Sequence, residues 1–280
     1  GTFDDCQALV KAMFNDHAFR DRVRLSGVNS INWARIVAQV VYFFTAAVAL
    51  GAPHRKIAFT VPTGNFGDIF AGYVATRMGL PVDRLVIATN SNDILARTLA
   101  NGTYEVRTVL PTASPSMDIQ VSSNFERLLF EAYGRDAGAV RSLMGSLAQS
   151  GRFTIAREPL HRIQEHFAAG TASEDETAAT IRTVRKESGY LADPHTAVAL
   201  AVAEKEPRDP SVPMVVLSTA HPAKFPDAVA QACGVTPALP DWLHHLHERP
   251  ERVTLLPADQ RTIEERVLAV SRAAREGAVA

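Results

Sequence analysis

Residues Gly64–Asp68 (GNFGD) set two glycines three apart around Asn65 and Phe66. Glycine permits positive φ and removes the Cβ that keeps a ligand away from the backbone. A turn of this kind aims several backbone N–H groups at one spot, and a helix behind it adds the positive end of its dipole. The stretch is therefore a candidate anion site, with phosphate as the usual guest. A hydrogen bond to a charged group is worth roughly 1.5–3 kcal/mol, so three or four would hold a phosphorylated cofactor. The other reading is a tight strand-to-helix turn whose glycines serve geometry alone. Asp68 weighs against an anion: aspartate suits a helix start, but its charge repels phosphate unless the side chain turns away.

A second candidate lies at Asn29–Arg35 (NSINWAR). Asn29, Ser30 and Asn32 offer neutral donors, and Arg35 offers a planar fork that matches phosphate. Taken alone, these residues also fit an ordinary helix cap, Ser30 or Asn32, followed by a surface arginine. A third candidate is LSTAHPAKF. Ser218 and Thr219 fall at the C-terminal end of an apolar run, the edge where ligands bind in parallel sheets. His221 and Lys224 carry reactive groups, although a histidine before proline is more often structural. His244, His245 and His247 have no cysteine pair beside them to complete a zinc site, and read as a solvated helix face. A dinucleotide fingerprint needs G-x-G-x-x-G and an acidic residue ending the next strand. Here the spacing is Gly64-x-x-Gly67 and that strand ends at Asn90, so the match fails twice.

The elements around these residues follow from periodicity. Ile57, Phe59 and Val61 alternate as a buried strand, closed by Pro62. Ile69 to Met78 run at helical spacing, and Gly79 with Pro81 stops them. LVIAT (Leu85 to Thr89) is a second strand, Ile94 to Leu99 a helix, and Thr103 to Val109 a third strand. This order points to an α/β fold with a mostly parallel sheet flanked by helices. A helix capped by Asp4 or Asp5 covers Asp4 to Asn15. A long apolar helix covers Trp33 to Leu50, too short for a membrane span of about 20 residues. From Pro111 the chain turns to proline, serine and threonine. Residues 110–187 read as a mostly helical insertion, with a short strand at Phe153 to Ala156 and a capping box at Ser173 and Glu176. DPHTAVALAVAEK is a helix capped by Asp193 with Pro194 in its first turn. PMVVLSTA is the clearest buried strand of the second half. Helices follow at HPAKFPDAVAQACG, Asp241 to Glu248 and Ala258 to Ala274.

The 280 residues are enough for a sizeable core, and 46% are hydrophobic. There are 29 basic and 30 acidic residues, a net charge of −1. That balance argues against a nucleic-acid or membrane surface as the main partner. Cys6 and Cys233 are the only cysteines and make no disulfide framework, which suits a reducing, cytoplasmic compartment. No basic-then-apolar leader is visible, and the chain opens at Gly1 without methionine, so the natural N-terminus is expected to have been cut, processed or left out.

Several motifs together resemble threonine synthase of the longer bacterial and fungal type. They are FDDCQALV, NSINWARI, VPTGNFGDIFAGYVATRMGLP, LVIATNSNDIL, SMDIQVSSNFERLLF, DPHTAVAL and LSTAHPAKF, in family order from residue 3 to about residue 230. The resemblance implies the fold-type II architecture of pyridoxal-phosphate enzymes. It also implies conversion of O-phospho-L-homoserine and water to L-threonine and phosphate, the last step of threonine biosynthesis. By that likeness Gly64, Asn65, Phe66, Gly67 and Asp68 cradle the phosphate of pyridoxal 5'-phosphate, and Thr219 meets its pyridine nitrogen. Asn29, Ser30, Arg35 and Asn65 would bind the phosphate of the substrate. No metal is implied. On this basis residues 1–109 and 188–247 are assigned to the cofactor-binding domain, 110–187 to the insertion and 248–280 to a C-terminal helical segment. The family places its Schiff-base lysine in an N-terminal F-K-D motif, accompanied by a serine/threonine–glycine loop, and neither is present. The lysines here are Lys11, Lys56, Lys186, Lys205 and Lys224, none in that context. The chain is therefore read as the C-terminal part of such an enzyme, inactive alone, with the N-terminal part as its partner. The alternatives are a non-catalytic module that binds a phosphate ligand, or another fold-type II enzyme acting on an amino acid.

Overall fold

The structure, a computed structural model, describes residues 3–207 and 209–276; Gly1, on which the expectation of a missing start rests, lies outside them. In chain order the elements begin with α1 (Phe3–Asn15), α2 (His17–Val23), α3 (Trp33–Ala49), β1 (Ile57–Pro62), α4 (Gly67–Arg77), β2 (Val82–Thr89), α5 (Ile94–Asn101) and β3 (Thr103–Glu105). Then come α6 (Phe125–Ala132), α7 (Ala137–Ser150), β4 (Arg152–Thr154), α8 (Arg157–Gln164), β5 (Phe167–Thr171), α9 (Glu174–Ser188) and α10 (Pro194–Lys205). The last are β6 (Met214–Val216), α11 (Pro226–Cys233), α12 (Gln260–Val270) and α13 (Arg272–Glu276). Among the described residues no helix is long and apolar enough to cross a membrane.

Two compact units account for the chain, residues 29–239 and residues 1–28 with 240–280. The larger holds a four-stranded parallel sheet in the order β5-β2-β1-β6. Side chains alternate across it, as a period of two requires. Ile57, Phe59 and Val61 of β1, with Leu85 and Ile87 of β2, face a core shared with Ile36, Val40 and Phe43 of α3 and Ile69 of α4. Val86 and Ala88 face the opposite layer, with Val198, Ala199 and Val202 of α10. Phe43 and Phe59 are wholly buried with ring centroids 5.0 Å apart. Each such side chain contributes about 1.5–3 kcal/mol by leaving water. Close packing fixes two glycines: a Cβ on Gly72 would lie 2.6 Å from the Phe43 ring, and one on Gly170 would lie 2.7 Å from Val202.

The strand order reverses at β1. β2 is added on one side and β6 on the other, so the loops leaving β1 and β6 flank a crevice at the carboxyl edge of the sheet. Open parallel sheets bind ligands at such a point.

The third expected strand is a correction. β3 ends at Glu105 and pairs antiparallel with β4 in a separate two-stranded sheet. A buried polar knot captures the chain beyond it. Asn92 exchanges hydrogen bonds with the N–H and carbonyl of Leu110 (2.9 and 2.8 Å). The Asn90 amide donates to Thr112, Ser114 and Asp118. The stretch 110–187 carries α6 to α9 and also β4 and β5, and β5 forms an edge of the central sheet.

The smaller unit packs Met13, Phe19, Val23 and Ala274 around Ile263 and Val267. Its first helix is Phe3–Asn15, so the expected cap positions Asp4 and Asp5 fall within its first turn. The expected helix over Asp241 to Glu248 is instead two 3-10 turns, Asp241–Leu243 and Leu246–Glu248. Pro240 and Pro250 leave a span too short to sustain an α-helix.

Candidate functional site

The Gly64–Asp68 turn leaves β1 through Thr63, whose N–H still bonds to Ala88 of β2 (2.8 Å). Phe66 takes φ +66°, the left-handed region that non-glycine residues rarely adopt. Its ring is buried against Phe125 (5.4 Å, edge-on) and Phe167 (5.7 Å). That packing holds the strained backbone in place. The Asn65 side-chain oxygen accepts from Gly67 N–H at 3.0 Å. The N–H groups of Gly64, Asn65, Phe66, Asp68 and Ile69 have no acceptor among the described residues. These donors sit at the N-terminus of α4, where the helix dipole is positive.

The N-cap of α4 is Phe66, without a side-chain cap, so Asp68 does not cap; it lies in the first turn. One of its carboxylate oxygens is buried with no hydrogen-bond partner. Burial raises the Asp68 pKa to about 6, and the Arg35 charge works in the opposite direction. Arg35 is exposed on the first turn of α3 and makes no ion pair among the described residues.

Residues 29–35 pack directly on this turn. A Cβ on Gly67 would lie 3.0 Å from the Cβ of Ser30 and 3.2 Å from its Oγ, so the two segments are in close contact here. Asn32, rather than Ser30, caps α3, accepting from Ala34 N–H at 3.0 Å. Ser30 is buried and accepts from the Asn124 amide at 2.7 Å, while the same amide reaches the Asn65 carbonyl at 3.0 Å. Arg127 bonds the Asn124 oxygen (2.9 Å) and the Ser30 and Ile31 carbonyls (3.3 Å each), over the Trp33 ring. Ser122 closes the other side, donating to the Gly64 carbonyl at 2.8 Å.

Among Asn29, Ser30 and Asn65 the hydrogen bonds leave donors over, while Asp68 keeps one buried carboxylate oxygen without a partner. Asn29 uses its oxygen on Ile31 N–H (3.1 Å), Asn65 uses its oxygen on Gly67 N–H, and Ser30 uses a lone pair on Asn124. Each acceptor is engaged inside the protein, and each donor remains: two amide NH₂ groups and a hydroxyl proton. With the five backbone N–H groups and Arg35, the site offers donors and positive charge, the requirement of a phosphoryl group.

On the other flank, Leu217 N–H bonds Thr60 of β1 at 3.0 Å, so the chain after β6 runs beside the chain after β1. Ser218 and Thr219 are exposed there. Ser218 is 3.0 Å from the Tyr190 hydroxyl, and Thr219 has no hydrogen-bond partner among the described residues. His221 accepts from Ala223 N–H and caps a 3-10 turn, and Lys224 lies 5.8 Å from the Phe225 ring centroid. Lys56 pairs with Asp83 and Lys205 with Glu176. In the smaller unit His245 meets Glu248, and among the described residues no group of three or more side chains is arranged to hold a metal.

Sequence reasoning missed Ser122, Asn124 and Arg127 as parts of this site. Their signal is the polar run SSN between a proline-rich loop and α6, whose purpose appears only when Asn124 meets Ser30, 94 positions away.

Comparison with known proteins shows what the chain is similar to as a whole. The family described as "Threonine synthase, C-terminal" matches residues 196–267. The threonine synthase of Pseudomonas aeruginosa is 54% identical over 258 residues, 92% of this chain and 55% of that protein. Among solved structures, a threonine synthase from Brucella melitensis described as PLP-bound superposes with a TM-score of 0.90 at 63% identity. The match covers 97% of this chain and 58% of that one. Yeast threonine synthase superposes at 0.84 with 38% identity, over 98% and 58% of the two chains. The expected fold-type II architecture is thus the observed one, and the chain spans about half the length of the relatives it matches.

Proposed function

We propose, from a chain that resembles threonine synthase along nearly its whole length, that it carries the two phosphate-binding pockets of such an enzyme. The reaction is the conversion of O-phospho-L-homoserine and water to L-threonine and phosphate with pyridoxal 5'-phosphate. The observation that carries this reading is the contact between Ser30 and Gly67: two clusters with free donors lie side by side at the carboxyl edge of one sheet, and the Arg35 charge offsets that of Asp68.

The residues present fit the cofactor. The free N–H groups of Gly64, Asn65, Phe66 and Asp68, and that of Ile69, would hold its phosphate. The unpartnered Thr219 hydroxyl would meet the pyridine nitrogen from the β6 side. A hydroxyl there, unlike a carboxylate, does not require that nitrogen to be protonated. When bound, the cofactor supplies the electron sink for carbanion chemistry. The chain's own part is to bind and to steady charge. Asn29, Ser30, Asn65 and Arg35 would hold the phosphate of the substrate, which is also the leaving group. Donors fixed beforehand around that phosphate stabilise its charge as it departs, and this lowers the barrier. Asn65, shared by the two clusters, would touch both anions. The covalent anchor for the cofactor would be a lysine outside these 280 residues, since none of Lys11, Lys56, Lys186, Lys205 and Lys224 stands in an F-K-D context. The substrate is small, and the longer relatives leave room for a further part of the same enzyme as partner.

The test is a titration of this chain followed by the amide resonances of residues 64–69 and of Asn29. Pyridoxal phosphate should shift the first set, and O-phospho-L-homoserine the Asn29 and Asn65 side-chain amides. Silence in both sets would end the proposal. The chain alone should release no phosphate from O-phospho-L-homoserine; release would refute the placement of the anchoring lysine elsewhere.

A further inference from the structure

The start of α10 holds a buried polar assembly that the reading above does not use. Asp193 and His195 are 0% and 4% exposed. Asp193 caps the helix, its Oδ1 accepting from the N–H groups of His195 (2.9 Å) and Thr196 (3.4 Å). The same oxygen lies 3.1 Å from His195 Nδ1, and Oδ2 receives the Thr196 hydroxyl. Across the ring, His195 Nε2 accepts the N–H of Ser116 at 3.3 Å. Because Nε2 accepts, the ring proton sits on Nδ1 and is donated to Asp193. Burial by itself would push the Asp193 carboxyl up, but the hydrogen bonds from His195 and Thr196 hold it below its usual range.

Both arms of this assembly end at the crevice. The carbonyl oxygen of Ser116 would lie 2.7 Å from a Cβ on Gly64, so Ser116 forms the wall against which the Gly64 turn is pressed. The Thr196 hydroxyl is 3.3 Å from that of Ser218, the residue before Thr219.

We propose that Asp193 and His195 are positioning residues through which a single buried carboxylate fixes both walls of the crevice, the Ser116–Gly64 side and the Ser218–Thr219 side. The distance between the anion cradle and the Thr219 hydroxyl is then set by one group. That suits a rigid ligand whose phosphate and ring nitrogen are a fixed span apart. The proposal rests on the pyridoxal-phosphate reading for its ligand, but not for its geometry.

The geometry is tested on the ligand-free chain. Nitrogen NMR of His195 at pH 7 should show the Nδ1–H tautomer; an Nε2–H ring or an imidazolium overturns the proposal without any variant. His195→Asn keeps a donor toward Asp193 and loses the acceptor for Ser116, whereas His195→Gln places a carbonyl oxygen where Nε2 was. Exchange of the Ser116 amide should quicken roughly three- to tenfold in His195→Asn, the worth of one hydrogen bond, and return toward the parent rate in His195→Gln. Equal rates in parent and His195→Asn would refute it. With pyridoxal phosphate bound, the phosphorus resonance should move in His195→Asn and the ring absorbance in Thr196→Val. Asp193→Asn, which keeps the helix cap, should move both; an effect at one end alone overturns the shared anchor. If the parent chain binds no pyridoxal phosphate, the proposed function falls, and the tautomer and exchange results still judge the assembly.

Discussion

Replacing Asp68 with asparagine removes a charge from a half-buried place that solvates it poorly. One oxygen of this carboxylate is buried with no partner, and burial raises its pKa to about 6 against 3.8 for the free group. The folded chain therefore holds the Asp68 proton more tightly than the unfolded chain does. Below pH 3.8 both states are protonated and the group is neutral to stability. Between about pH 4 and 6 the unfolded state ionises first, and stability falls as pH rises; above pH 6 the loss is complete. A gap of about two pKa units at about 1.36 kcal/mol each amounts to about 3 kcal/mol. Asparagine keeps the shape without the charge, so Asp68→Asn should be more stable than the parent by about 2–3 kcal/mol at pH 7.5. The difference should shrink to under about 1 kcal/mol at pH 4. Urea denaturation at both pH values, followed by Trp33 fluorescence in a Trp242→Phe background, reports on the unit that holds Asp68. A gain of equal size at the two pH values, or no gain at pH 7.5, would show that the carboxylate is not an uncompensated buried charge.

Arg35→Ala should lower the affinity for O-phospho-L-homoserine by tenfold or more, as loss of a charged hydrogen bond of about 1.5–3 kcal/mol implies. Pyridoxal-phosphate binding should change far less, and parallel losses in titrations of the two ligands would contradict the division of pockets. Thr219→Val should alter the absorbance of bound pyridoxal phosphate while leaving the urea midpoint unchanged; an unaltered spectrum would count against the contact. Gly64→Ala presses a methyl to within 2.7 Å of the Ser116 carbonyl. It should cost about 1–3 kcal/mol in urea denaturation through overpacking, and a neutral result would mean that the wall yields.

What could be read from the sequence was what neighbouring residues decide. The alternation of Ile57, Phe59 and Val61, the stop at Pro62 and the two glycines gave β1, the turn and α4 with nearly their observed limits. Asp193 and Ser173 were legible as caps because a cap acts within three residues. Groups that act across the chain were not legible. β3 is shorter than its residues suggest because nothing between Thr103 and Val109 announces the Asn90–Asn92–Asp118 knot that captures the following loop. Asp193 read as a cap and nothing more, since Ser116 is 79 positions from His195. The burial of Asp68 was equally hidden: its place near the helix start was visible, but its desolvation comes from the packing of distant segments.

Phe66 shows where the cost of recognition falls. Its left-handed backbone is held by Phe125 and Phe167 before any ligand arrives, so the strain is met once, when the chain folds. A guest then meets donors already converged and loses little affinity to ordering them, which is the advantage of preorganisation. The same aromatic wedge makes the site brittle. Trimming Phe125 or Phe167, neither of which would touch a ligand, should let the turn relax and scatter its donors while the sheet beneath stays whole.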